Sequence, residues 1–144
     1  MDRWFFPIQR MEQRDDHGCA IACVAMVCGI SYDRAKQEFF PRERAETLAD
    51  DKRLMMNGEQ MMCVIRKLGY SCVARSGFKE HKLPSIVVFD WKTPNSGTHA
   101  VVWDPFRECF LDPGYDWPLS SKRYMQNWRR SNYASVIVTG KKKR

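Results

Sequence analysis

No apolar run in this 144-residue chain approaches the roughly 18 residues that span a bilayer, so no membrane-crossing helix is expected. The opening, Met1-Asp2-Arg3-Trp4-Phe5-Phe6-Pro7, has neither a long apolar stretch nor a cleavage site, so it does not read as a signal peptide. A cytoplasmic location is expected, with dedicated export as an effector left open. No Cys-x2-Cys pair accompanies the six cysteines at 19, 23, 28, 63, 72 and 109, and no second pair of ligands does either. His17, Cys19 and Cys23 alone fall short of a zinc site, so neither metal nor cofactor is expected. Three of the cysteines crowd into one apolar stretch without an export signal, which predicts reduced thiols rather than disulfides. No RNA- or DNA-binding motif is visible, which argues against nucleic acid as the main partner.

Acidic residues are missing from one region. Residues 117–144 hold eight Lys or Arg and no Asp or Glu, whereas the first 116 balance 16 bases against 17 acids. The final Lys141-Lys142-Lys143-Arg144 reads as a solvated basic tail that could touch nucleic acid or an acidic partner. No repeat, low-complexity stretch or linker divides the rest. With 44% hydrophobic residues, eight Phe and five Trp, there is material for one sizeable core. The expectation is one domain over residues 1–140 and a tail at 141–144.

Residues 4–9 read as an extended apolar arm and 13–18 as a polar loop. From Cys19 to Cys28 every residue is apolar, the pattern of a helix buried on all sides, with Gly29 as its C-cap. Ser31 can cap a second helix running to about Phe40, before Pro41. Residues 42–56 are charged and fit helix or loop. Met61, Met62, Val64, Ile65 and Leu68 form a helical stripe ended by Gly69. Strand patterns follow at Tyr70–Ala74, Ser85–Phe89, His99–Trp103, Cys109–Asp112 and Ala134–Thr139, with Asp104-Pro105 as a turn. Ser120 or Ser121 can cap a late amphipathic helix carrying Tyr124, Met125 and Trp128. Helices first and strands later predict an α+β fold. An N-terminal helical part, with the Cys19 helix at its centre, packs on a C-terminal antiparallel sheet.

A thiol nucleophile needs help to ionise, a base, a group that orients the base, and donors for the oxyanion. Each has a candidate. Cys19 opens the buried helix, where the helix dipole favours a thiolate. Gly18 before it leaves room for a substrate carbonyl. Gln13 can donate its side-chain amide to an oxyanion beside the Cys19 backbone N–H. His99 begins a strand, a rigid mount for an imidazole. If 99–103 and 109–112 pair as a hairpin, Asp112 reaches the other imidazole nitrogen, with Asp104 as the alternative acid. Taken singly, Cys19 is a core thiol and His99 a strand residue; their joint order and setting make the functional reading.

Gln13-x5-Cys19-x3-Cys23 with Met26, then Gly97-Thr98-His99-Ala100-Val101-Val102, then Leu111-Asp112-Pro113, resembles the bacteriocin-processing, double-glycine-type cysteine peptidases and their stand-alone relatives. The resemblance spans most of the chain. It differs at Gly18 and Ala20, where the family usually has Asp and Gly. It implies a papain-like fold with a Cys-His-Asp triad. By residue, Cys19 would be the nucleophile, His99 the base, Asp112 its orienter and Gln13 the oxyanion donor. The expected activity is hydrolysis of a peptide bond in a peptide or protein substrate, through a thioester. Two other readings stay open. One keeps the triad for glutamine deamidation or another acyl transfer, as in papain-fold toxins and effectors. The other is an inactive binding module using the basic C-terminal segment.

Overall fold

The computed structural model describes residues 8–12, 18–41, 58–80, 82–89, 99–113, 119–120 and 133–141. Three helices come first: α1 (Cys19–Cys28), α2 (Tyr32–Phe39) and α3 (Gly58–Lys67). Six strands follow: β1 (Tyr70–Ser76), β2 (Ser85–Phe89), β3 (His99–Asp104), β4 (Cys109–Leu111), β5 (Leu119–Ser120) and β6 (Tyr133–Lys141). The strands form one sheet in the order β1-β6-β2-β3-β4-β5, antiparallel at every pairing. The fold is the expected α+β arrangement.

Helix α1 is apolar all round because it packs against β3 and β2 as well as α2 and α3. Ala20 through Cys28 are all buried. Gly29 ends it in the left-handed conformation (φ 65°), and the Gly29 N–H returns to the Ala25 carbonyl. Ser31 caps α2 as its sequence suggested, its hydroxyl accepting the Arg34 N–H at 3.1 Å. In α3, Met61, Met62, Val64 and Ile65 face inward. They join α1 and the sheet residues Ile86, Val88, Ala100, Val102, Leu111, Val136 and Val138 in the main core. Ile8, from the expected apolar arm, belongs to the same core.

The sheet's other face carries Val87, Phe89, Val101, Trp103 and Phe110, with Phe78 packed against them. The Trp103, Phe110 and Phe78 rings stack edge-on or tilted at centroid distances of 4.9–5.3 Å. Strict alternation along β2 and β3 therefore feeds two apolar layers, which is why both strands read as continuous hydrophobic runs.

The structure differs from the sequence reading at two places. Leu119 and Ser120 pair with Phe110 and Cys109, so Ser120 sits in a strand rather than capping a helix. The rest of that expected helix, with Tyr124, Met125 and Trp128, lies outside the described residues, as do residues 42–56. Strand β6 continues past Gly140, and Lys141 pairs with Tyr70 while its ammonium lies 5.8 Å from the Tyr70 ring. The sheet thus takes in the first residue of the expected basic tail; residues 142–144 lie outside the described ones.

Candidate active site

The β3–β4 hairpin brings His99 and Asp112 together. Its register opposes Val102 to Leu111 and Asp104 to Cys109. One step beyond the last pair, Asp112 stands level with Val101 and diagonally across from His99, within reach of a long side chain. The contact is direct: His99 Nε2 donates to Asp112 Oδ1 and Oδ2, both at 2.9 Å. A carboxylate only accepts, so the proton sits on Nε2 and Nδ1 is the nitrogen left for another partner. The Cys19 sulfur lies near enough to act on the imidazole, where it helps raise the His99 pKa. Helix α1, resting on β3, delivers Cys19 to this end of the strand.

Burial sets the strength of these contacts. The Asp112 side chain is 1% exposed and that of His99 21%. Burial alone would push the His99 pKa down. Interactions with Asp112, and then with Cys19, more than offset it and hold the pKa at about 10 instead of 6.5. The imidazole is therefore an imidazolium at neutral pH, placed between a carboxylate and a thiol. Such an arrangement can support a negative sulfur and later return a proton to a leaving group.

The N-terminus of α1 suits the same chemistry. Gly18 offers no side chain to cap it, and its first turn holds no acid. Among the described residues no side chain caps or neutralises the partial positive charge of the helix there. One turn below, Cys23 is fully buried, and its thiol pKa is raised well above 9.0 by desolvation first, then by Cys19 and Asp112. The core holds that second thiol neutral.

Asp104, the alternative acid, is elsewhere. It is fully buried at the far end of the hairpin. Its Oδ1 accepts the N–H groups of Phe106 (2.9 Å) and Arg107 (3.4 Å), and Oδ2 faces Arg107 Nε at 3.5 Å. It shapes the turn, in which Glu108 takes a left-handed φ of 52°. Cys19, His99 and Asp112 are thus brought together, Asp104 is not, and Gln13 lies outside the described residues. Among the described residues no group of His, Cys, Asp and Glu is arranged to hold a metal ion.

One residue escaped the sequence reading. Arg10 donates from Nε to the Asp112 carbonyl (3.0 Å) and from Nη2 to the Pro113 carbonyl (3.2 Å). A lone arginine just after the apolar arm carries no signal that it will meet a chain segment about 100 residues later.

No protein-family model matches the sequence, and no curated protein matches it either. Four solved chains match it in structure. Among them is a double glycine motif protease from an AMS/PCAT transporter, solved in complex with the leader peptide. The match covers 96% of this chain and 97% of that one, with a TM-score of 0.60 at 16% identity. At that identity the likeness establishes the shared fold, the one the sequence motifs implied.

Proposed function

We propose that this fold, shared with a double glycine motif protease, serves here as a cysteine peptidase acting on a peptide or protein substrate. The observation that carries the reading is the meeting of Cys19, His99 and Asp112, drawn from a helix, a strand start and a strand end. Residues 1–140 act as one hydrolase domain. The Cys19 sulfur attacks the scissile carbonyl carbon as a thiolate. The developing oxyanion is met by the Cys19 backbone N–H and the Gln13 amide. His99 gives its Nδ1 proton to the departing amine, leaving a thioester on Cys19. The now neutral His99 takes a proton from water, which attacks the thioester and frees the acid and the thiol. Asp112 keeps the proton on Nε2 throughout and does not react. That the structural neighbour was solved with a leader peptide supports a peptide occupant for this fold.

An activity-based thiol probe and mass spectrometry of candidate substrates test the reading together. Probe labelling confined to Cys19, with a substrate chain split in two, is the expected result. A mass gain of about one unit at a glutamine, without chain scission, would make the enzyme a deamidase built on the same thioester chemistry. No probe labelling at Cys19 and no change in any substrate would leave a binding module.

A further inference from the structure

Strand β4 ends at Leu111, so Asp112 and Pro113 have left the sheet ladder when they reach the site. Pro113 has no N–H to donate to any ladder. An aspartate beyond the last paired residue is not held by strand pairing, yet its carboxylate must stay within hydrogen-bond reach of His99 to orient it. The chain segment 8–12 supplies one hold. It lies along the β3–β4 hairpin and is fastened at both ends. Arg107 Nη2 donates to the Ile8 carbonyl at 3.0 Å. At the other end the planar Arg10 guanidinium forks onto two successive carbonyls, those of Asp112 and Pro113. A fork of fixed geometry on adjacent carbonyls sets the direction of the peptide plane between them, and so the position from which the Asp112 side chain departs.

We infer that Arg10 is a positioning residue, which fixes the backbone at Asp112 and thereby sets the alignment of the Asp112 carboxylate on His99. The inference rests on the proposed triad and adds to it a residue outside the site. Arg10 touches neither His99 nor Cys19 in any hydrogen bond described above; its influence on the thiol passes through Asp112.

The test is the rate at which iodoacetamide alkylates Cys19, followed by mass spectrometry on the intact chain near pH 7, alongside Tm. It needs no substrate. The variants are Arg10→Gln, Asp112→Ala, their combination, and Arg107→Gln. Asp112→Ala lowers the alkylation rate because the imidazolium loses its carboxylate. Arg10→Gln lowers it by about 2- to 100-fold, the span of couplings within one hydrogen-bond network. In the Asp112→Ala background Arg10→Gln lowers it no further, while its effect on Tm is the same in both backgrounds. A purely structural arginine would move Tm without this dependence on Asp112. Arg107→Gln lowers Tm and leaves the alkylation rate near that of the unaltered protein. An equal loss from Arg10→Gln with and without Asp112, or an equal loss from Arg107→Gln, would overturn the inference. An Asp112→Ala protein that alkylates at the full rate would sink the triad itself, and the role of Arg10 with it. Should Arg10→Gln fail to fold, Arg10→Lys carries the same comparison, since lysine keeps the charge but cannot fork onto two carbonyls.

Discussion

Helix α1 begins with Cys19 and ends with Cys28, and the surroundings of the two thiols have little in common. At the Cys28 end the backbone carbonyls of Cys28 and Ala25 are both met and the thiol is buried. The Tyr70 hydroxyl donates to the Cys28 carbonyl at 3.2 Å, and Ile30 N–H donates to the Ala25 carbonyl at 3.1 Å. Burial, and then the neighbouring Cys72, push the Cys28 thiol up to about 12. At the Cys19 end no side chain caps the helix, the thiol is only partly buried, and it stands near enough to His99 to raise the imidazole's pKa. One helix thus leaves one sulfur partly open beside an imidazole and stores another in the core. Neither the residue type nor its secondary structure separates them; the polarity of the helix end and the nearby imidazole do.

The largest expected effect tests that contrast directly. Cys19→Ala abolishes turnover, because no thioester can form. Cys28→Ala keeps turnover and costs about 1–2 kcal/mol of stability, the ordinary cost of a small core truncation. Turnover by the Cys19→Ala protein, measured by cleavage of an identified substrate, would remove the basis for the difference.

The next effect concerns the base. Asp112→Ala leaves residual turnover, reduced by about 10²–10⁴-fold, because the orienting acid does not itself react. Steady-state kinetics at fixed pH measures it, and a loss as complete as that of Cys19→Ala would mean Asp112 does more than orient.

A smaller effect appears in the pH dependence of stability. The folded pKa of His99, about 10, lies above its ordinary 6.5. The folded state therefore holds the His99 proton more tightly than the unfolded chain does. The stability this provides is fully present below about pH 6.5 and is lost as pH rises towards about 10. Without Asp112 the main group holding the pKa up is gone and burial works the other way. Tm should therefore fall more steeply between pH 7 and 10 in the unaltered protein than in Asp112→Ala. Parallel slopes would show that the His99–Asp112 pair does not stabilise the fold.

The smallest effect lies at the closed end. Tyr70→Phe removes the hydroxyl that meets the Cys28 carbonyl and should cost about 1 kcal/mol, with kcat unchanged. Urea denaturation and turnover together check it. A change in kcat would mean that the two ends of α1 are coupled.

What could be read in the sequence was local. Ten successive apolar residues before Gly29 specified α1, Ser31 specified the cap of α2, and the apolar run 85–89 specified β2. These signals are carried by neighbours in the chain, so they survive without knowledge of the fold. The order of Cys19, His99 and Asp112 was legible for the same reason, since each stands at the edge of an element that its own segment defines. Tertiary structure alone decided the rest. Strand β5 spans two residues, too few to show a period, and exists because β4 offers it an edge. Lys141 looked like tail because four like charges in a row favour water, yet β1 is long enough to pair with it. The choice of Asp112 over Asp104 followed from hairpin register, in which a turn at residues 105–108 places one acid beside His99 and the other at the opposite end. Arg10 meets the carbonyls of Asp112 and Pro113 only once the sheet has formed, because no local pattern encodes a contact between residues so far apart in the chain.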